Sequence, residues 1–248
     1  MEQEGGKERT GFTAEMKAQI SRWNEELKDA TAEEVIGFFL QHFGEKLVLS
    51  TSLGLEDQVL TAMVLGQRKE TEVFTLDTGR LFPETYDLIA RTNKFFGIRM
   101  KTYFPDAAEV EKMVARRGIN LFYDSVENRK LCCGIRKVAQ LPRAFSNKEA
   151  WICGLRKDQS VSRFFNKLVE WDANNGLVKI NPLISWTEKQ VWDYIRKYNI
   201  PYNLLHDRGF PSIGCEPCTR AIEPGEDVRA GRWWWENDLH KECGLHKR

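Results

Sequence analysis

Apolar positions along the chain follow two rhythms that alternate. At Thr31-Ala-Glu-Glu34 a hydroxyl and a glutamate three residues later form a capping box, and Val35, Phe38, Phe39 and His42 follow at helical spacing. Gly44 stands where a left-handed C-terminal cap belongs, so a helix is predicted over about Ala32–Phe43. Lys46-Leu-Val-Leu-Ser50 then reads as a short buried strand, Thr51-Ser-Leu-Gly-Leu55 as a small-residue loop, and a new helix opens at Glu56. The pattern repeats, with Glu72–Leu76 as strand, Asp77-Thr-Gly79 as loop, and a helix from near Pro83 through Tyr86, Ile89, Ala90 and Phe96 to Gly97. Ile98–Phe104 and Ala150–Leu155 are further strand candidates, with helices around Ala107–Arg116 and Gly134–Leu141 between them.

Strands alternating with helices predict an α/β fold, a mostly parallel twisted sheet with helices on both faces. Ligands bind such sheets outside the carboxyl ends of the strands, and Ser50–Gly54, Asp77–Gly79 and Gly154–Ser160 all fall there. After Gly176 come a strand-like Val178-Lys-Ile180 and a second capping box, Ser185-Trp-Thr-Glu188. That box opens a helix with Val191, Tyr194, Ile195 and Tyr198, stopped by Pro201. From Pro211 onward Gly, Pro and charge dominate, which marks a C-terminal extension.

Charge narrows the partners. With 37 Lys+Arg against 36 Asp+Glu in 248 residues, the formal charge is +1, so neither nucleic acid nor an anionic membrane is expected as the main partner. The longest apolar runs, such as Val35–Leu40, are too short to span a bilayer. Met1–Thr10 lacks the apolar stretch of a secretory signal, so the expected location is cytoplasmic. Six cysteines in that setting read as metal ligands or reactive thiols rather than a disulfide framework.

Cys215-Glu-Pro-Cys218 can bring two thiolates to one metal from a turn, and Cys132-Cys133, at a predicted helix start, could supply two more. Four thiolates suit tetrahedral zinc or an iron–sulfur cluster equally by ligand count. Lys130, Arg136 and Lys137 surround the Cys-Cys pair, and a basic environment favours the thiolate. Cys153, inside Trp151-Ile-Cys153, reads as an inert core residue. Cys243, in the polar Lys241-Glu-Cys-Gly-Leu-His246, is a nucleophile candidate, against the plainer reading of an incidental tail cysteine. Arg136, Lys137, Arg156, Lys157, Arg163, Arg229 and Arg232 gather near these cysteines and suggest a small polyanionic ligand. Ser50, Thr51, Ser52 and Gly54 at a helix start could hold a phosphate through backbone N–H groups, although the loop is neither Walker A nor G-x-G-x-x-G.

Taken together, Ser-Leu-Gly-Leu-Glu-Asp57, Leu76-Asp-Thr-Gly-Arg80, Lys130-Leu-Cys-Cys-Gly-Ile-Arg-Lys137, Gly154-Leu-Arg-Lys-Asp-Gln-Ser160, Gly214-Cys-Glu-Pro-Cys218, Gly231-Arg-Trp-Trp-Trp235 and Lys241-Glu-Cys-Gly-Leu-His246 resemble the assimilatory sulfonucleotide reductases, in the branch that acts on adenylylsulfate (APS). The resemblance runs from about Gly44 to His246. It implies an adenine nucleotide α-hydrolase-like sheet related to PP-loop ATPases, with a [4Fe–4S] cluster on Cys132, Cys133, Cys215 and Cys218 and Cys243 as the nucleophile. Ser50, Ser52, Gly54, Asp77, Lys137, Arg156, Arg229, Arg232 and His246 are the expected substrate contacts. The implied chemistry is reduction of APS to sulfite and AMP through an S-sulfocysteine, with thioredoxin or a glutaredoxin-like donor as reductant. The corresponding organisation is an N-terminal helical segment over 1–43, a nucleotide-binding α/β domain over 44–210 and a cluster-binding, catalytic tail over 211–248, with self-association left open.

The first loop departs from the Ser-Gly-Gly form of ATP-using relatives, because Leu53 separates Ser52 from Gly54. Three alternatives stand beside this reading: a reductase of 3′-phosphorylated APS (PAPS) or of both substrates, an ATP-using tRNA thiolation enzyme, and a zinc-stapled nucleotide-binding module.

Overall fold

In a computed structural model that describes residues 12–159 and 163–236, the chain forms one six-stranded sheet flanked by helices. The N-terminal helices are α1 (Ala14–Glu26) and α2 (Ala32–Phe43), followed by β1 (Leu47–Thr51), α3 (Leu55–Gln67), β2 (Glu72–Leu76) and α4 (Pro83–Phe96). Next come β3 (Lys101–Tyr103), α5 (Ala107–Arg117), α6 (Val126–Arg136), α7 (Leu141–Ala144) and β4 (Ala150–Ile152). The series ends with β5 (Val169–Asp172), β6 (Leu177–Ile180) and α8 (Glu188–Tyr198). Strand order is β3-β2-β1-β4-β6-β5, parallel throughout except for β5, which pairs antiparallel with β6 at the edge.

Side chains on a strand alternate between faces, and the two cores follow that period. Leu47, Leu49, Val73, Ala150 and Ile152 enter a core built with α1, α2, α3 and α8, where Trp23, Val35, Phe39 and Val59 are buried. Val48, Phe74 and Trp151 point the other way, onto Leu141, Ala144 and Phe145. A third cluster lies off the sheet and contains Met113, Leu121, Phe122, Cys132, Cys218 and Trp233.

Several expectations need correction. The predicted helix Gly134–Leu141 does not exist as such. Instead α6 runs over Val126–Arg136, with Ser125 accepting from the Asn128 N–H, and Val138–Gln140 forms a separate 3-10 turn. Lys137, at φ −130° and ψ −60°, leaves helical backbone, ends α6 and separates it from that turn. Cys132 and Cys133 consequently sit late in a helix, not at its start. The second capping box is Thr187…Gln190, two residues later than Ser185…Glu188. Thr187 Oγ1 accepts the Gln190 N–H, and Gln190 Oε1 accepts the Thr187 N–H at 2.8 Å. Gly44 takes φ 55°, ψ −125°, a positive-φ turn but not a left-handed helical cap, and leads into a 3-10 turn over Gly44–Lys46. The strands predicted over 98–104 and 150–155 shorten to Lys101–Tyr103 and Ala150–Ile152.

Candidate active-site cleft

Chain direction places the cleft. From β1 the chain moves outward through β2 to β3, and β4 then returns to the other side of β1, so strand order reverses between β1 and β4. A cavity of about 220 Å³ opens at the carboxyl ends of these strands. Ser50–Asp57 and Cys153–Arg156 form its floor, and all four cysteines of the Cys-Cys and C-x-x-C pairs line its opposite wall.

The floor is held by local hydrogen bonds. Thr51 Oγ1 accepts the Leu53 N–H, and Leu53 takes a left-handed φ of 63°. Gly54 precedes α3 with no side-chain cap, which leaves the opening N–H groups of that helix for a ligand oxygen. Asp57 Oδ2 accepts the Ser52 N–H at 2.6 Å and the Ser52 hydroxyl at 2.8 Å. Burial pushes the Asp57 carboxyl up to about 6; the Ser52 bonds and Lys137 oppose that rise, and Glu56 adds to it. Gly154 is required beside it, since a Cβ there would lie 2.4 Å from Asp57 Oδ1 and 3.2 Å from the Asp57 nitrogen. Arg156 lines the cavity, as expected of a substrate contact, but its Nε already donates to Glu56 Oε1 at 2.7 Å. Asp77 stands apart from the other expected contacts. It is not among the lining residues, and its Oδ1 accepts the Gly79 N–H and the Tyr86 hydroxyl.

The thiol wall comes from two elements. Cys132 and Cys133 project from α6, while Cys215 precedes and Cys218 ends the 3-10 turn Glu216–Cys218, which Pro217 stiffens. That turn is tied to the core. Cys215 bridges Leu81, the Glu216 N–H donates to the Arg80 carbonyl at 2.8 Å, and the Tyr123 hydroxyl donates to the Pro217 carbonyl at 2.7 Å. Thr78 Oγ1 lies 3.1 Å from Cys215 Sγ. Basic surroundings do not prevail at the two buried sulfurs. Burial holds the Cys132 and Cys218 thiols above the usual thiol range against Arg136, Arg80 and Arg232, and neighbouring cysteines raise them further. Among the described residues, no three His, Cys, Asp or Glu side chains are closed around a single metal ion.

The donor chemistry nevertheless fits a four-thiolate metal centre. Four soft sulfurs share one wall, and at the two buried ones, Cys132 and Cys218, desolvation and neighbouring sulfurs disfavour ionisation. A cationic metal core removes both penalties at once. Cys153 differs: its Sγ donates to Asn181 Oδ1 at 3.0 Å and burial pushes its thiol up to about 12.

Lys137, Arg229 and Arg232 all reach the same cavity. Arg232 Nη1 donates to the Ile213 carbonyl at 3.1 Å, and a Cβ on Gly214 would sit 2.2 Å from its Nη2, so a side chain there would push the guanidinium out of this position. Arg136 and Arg129 are buried on the same wall, the former donating to the Thr78 carbonyl at 2.8 Å. Cys243 and His246 lie outside the described residues. Asp57, Thr78 and Arg129 were not singled out from sequence; only Asp57 carried a signal, an acidic residue at the third helical position after a small-residue loop.

A cleft at a sheet reversal, floored by a helix start and walled by guanidinium groups, belongs to α/β enzymes that handle phosphorylated ligands. Solved structures share this fold, among them an FMN adenylyltransferase from Candida glabrata (TM-score 0.55, 17% identity, 96% of this chain and 81% of that one). An NH3-dependent NAD synthetase from Campylobacter jejuni also matches (TM-score 0.51, 11% identity, 76% and 77%). These identities speak for fold alone.

Sequence narrows the class. Residues 46–221 match the family described as phosphoadenosine phosphosulfate reductase domain, and the chain belongs to that family of reductases. It is 50% identical over 221 residues to an adenosine 5′-phosphosulfate reductase from Allochromatium vinosum, covering 89% of this chain and 86% of that one. One from Burkholderia cepacia is 44% identical over 240 residues, covering 96% and 91%. A phosphoadenylyl-sulfate reductase from Candida auris, solved with phosphate, superposes with a TM-score of 0.72 at 28% identity, covering 87% of this chain and all of that one.

Proposed function

We propose that this protein reduces adenosine 5′-phosphosulfate to sulfite and AMP. The observation that carries the reading is one cavity holding a nucleotide-type loop, Lys137, Arg229, Arg232 and four cysteines, in a chain half identical to reductases named for that substrate. The Cys243 thiolate attacks the sulfur of the sulfo group and the S–O bond to the phosphate breaks, giving Cys243–S–SO3⁻ and AMP. A thiolate of a thioredoxin-type dithiol then attacks Cys243 Sγ and expels sulfite, which leaves with the electron pair of the S–S bond. The second thiol of the donor resolves the mixed disulfide and returns Cys243 as a thiolate.

A thiolate approaching an anionic sulfo group meets a repulsion of ~4 kcal/mol per unit-charge pair at 4 Å and an effective dielectric of 20. Left uncompensated, this slows the step by about a thousandfold. Lys137, Arg229 and Arg232 supply the opposing charge, and the opening N–H groups of α3 suit the phosphate oxygens. Cys132, Cys133, Cys215 and Cys218 would hold a [4Fe–4S] group, which when bound supplies a fixed electrostatic centre beside the substrate. Arg156, paired with Glu56, orders the floor rather than meeting the anion with a free charge.

Purified protein given APS and reduced thioredoxin is expected to release equimolar AMP and sulfite, and to gain a sulfo group on the Cys243 peptide when APS is given alone. A Cys243→Ser variant that turns over normally, or turnover confined to the 3′-phosphorylated analogue, overturns the reading. Brown absorption with iron and sulfide supports the cluster, and stoichiometric zinc refutes it.

A further inference from the structure

Beyond the C-x-x-C turn the chain closes a loop that carries two of the cavity's cations. Thr219 bridges Arg232 in antiparallel fashion, the Arg220 N–H donates to the Gly231 carbonyl at 2.9 Å, and the Trp233 N–H donates to the Cys218 carbonyl at 3.1 Å. Residues 231–233 thus return alongside 218–220. The approach is close, since a Cβ on Gly231 would lie 2.2 Å from the Arg220 carbonyl oxygen. Farther along the loop Arg220 pairs with Glu226, Nη2 to Oε1 at 2.8 Å, and Asp227 Oδ1 accepts the Arg229 N–H at 2.8 Å. Arg229 and Arg232 both line the cavity from this loop.

One indole ring and one buried ion pair join the loop to α6. Trp233 is buried and adopts φ 43°, a left-handed conformation that bulky residues avoid unless their surroundings over-determine it. Three guanidinium groups pack on its ring, Arg129 and Arg232 at 4.7 Å from the centre and Arg229 at 6.0 Å. Like charges around one ring repel, and Glu236 neutralises one of them. Arg129 Nε donates to Glu236 Oε1 at 2.8 Å and Arg129 Nη2 to Oε2 at 2.6 Å, with the two side chains 1% and 2% exposed. This two-pronged geometry fixes the carboxylate in direction as well as distance. The Glu236 N–H donates to the Trp233 carbonyl at 2.8 Å, which couples the pair to the ring through backbone as well.

We propose that Arg129 and Glu236 are positioning residues whose buried pair locks Trp233 to α6 and so holds Arg229 and Arg232 toward the outer anionic group of the substrate. This role rests on the proposed reduction of APS, which gives those two cations a sulfo group to meet. Lys137 ends α6, so the same pair sets the spacing between a cation on the helix and two on the loop. An anion held among them is sensitive to that spacing, because charge-assisted hydrogen bonds weaken steeply with distance and misalignment. A buried ion pair is a poor source of stability compared with apolar packing, but it holds two groups in one register, which is what this role needs.

Equilibrium binding of AMP and ADP to the holoprotein isolates the outer charge. ADP carries a second acidic group beyond the phosphate, where APS carries its sulfo group, and neither nucleotide holds sulfur to be reduced. Wild type is compared with Arg129→Lys, which keeps the charge but loses the fork, and with a double variant, Arg129→Met with Glu236→Leu, in which no buried charge loses its partner. Both leave the net charge unchanged, so a change in binding reports geometry rather than field. Folding is checked by circular dichroism and iron content. Wild type is expected to prefer ADP roughly 10- to 100-fold; the preference falls roughly 5- to 10-fold in the double variant and less in Arg129→Lys, with AMP affinity within about twofold of wild type. With Arg229 and Arg232 both replaced by Met, Arg129→Lys should no longer move the ratio, as it still would if it merely loosened the fold. A folded double variant that keeps the wild-type preference overturns the proposal, as does a wild type that binds both nucleotides alike. AMP affinity that falls in step with ADP affinity also overturns it, because that marks a general loss of the cavity, and so does failure of both variants to fold, which assigns the pair to stability. Sulfite release from APS is measured alongside: a wild type that prefers ADP but releases no sulfite refutes the proposed activity, whereas sulfite release with an unmoved preference refutes the positioning role alone.

Discussion

Replacing Asp57 by Asn isolates the most perturbed carboxyl of the cleft. The side chain is buried, and its carboxyl is pushed up to about 6, chiefly because burial removes water from the charged form. An acid with a folded-state value above its unfolded value near 3.8 holds its proton longer in the folded state. Stability is therefore lost as pH rises from the unfolded value through the folded one. Once both states are ionised, the cost is roughly 3 kcal/mol. Between pH 5 and pH 7.5 the unfolded Asp is already ionised while the folded one loses its proton, so roughly 1 to 2 kcal/mol of that cost accrues within the window. Asn has nearly the same shape and never ionises, although it keeps only one acceptor oxygen for Ser52. Whatever fixed penalty that brings, the wild-type minus variant difference in stability should move in the variant's favour by this amount as pH rises. In thermal unfolding of a chain this size the movement is about 2 to 6 °C. Scanning both proteins at pH 5 and pH 7.5 cancels contributions they share, including those from the cysteines. A difference independent of pH, or one that moves toward wild type, would show that Asp57 is ionised throughout and that Ser52 and Lys137 outweigh its burial.

Two further perturbations test other parts of the site. Gly154→Ala puts a Cβ 2.4 Å from Asp57 Oδ1 and 3.2 Å from backbone, so the loop after β4 must shift; a loss of about 1 to 3 kcal/mol is expected, and an unchanged thermal midpoint would refute the close approach. Cys218→Ser removes a buried member of the thiol wall and should cost the purified protein its iron, sulfide and visible absorption. Retention of all three would place the metal ligands elsewhere.

The elements legible in the sequence were those whose apolar pattern and punctuation agreed. The helices over Ala32–Phe43 and Pro83–Phe96 carry a capping box or an opening Pro and a closing Gly, and the strand Glu72–Leu76 a short apolar run. Helix α6 was misplaced because its buried stripe is Arg129, Cys132 and Arg136, helical in spacing but not apolar. A hydrophobic template passes over such a stripe. Strand β5 went unseen for another reason: Val-Glu-Trp-Asp is only half-buried at an edge, and its antiparallel pairing depends on β6. The thiol pairs and the basic residues were readable from spacing and charge. The Arg129–Glu236 pair was not, since 107 residues separate its members and both look like ordinary surface charges.

Two of those failures fall on α6, and they share a physical reason. Along α6, Arg129 holds Glu236, Cys132 and Cys133 form part of the thiol wall, Arg136 braces the loop after β2 through the Thr78 carbonyl, and Lys137 ends the helix within reach of Asp57's field. Two buried guanidinium groups and a buried thiol are a costly way to pack one face, since leucine or methionine of similar volume would desolvate more cheaply. A stripe of this kind departs from packing rules where position and charge matter more than stability. The floor shows the opposite balance: Arg156 is neutralised by Glu56, and Asp57 lies next to Glu56 in sequence. Positive charge is thus concentrated toward Lys137, Arg229 and Arg232, while the floor offers the opening N–H groups of α3. An anionic ligand whose phosphate meets the opening N–H groups of α3 gains most when its outer charge extends from there toward these three cations.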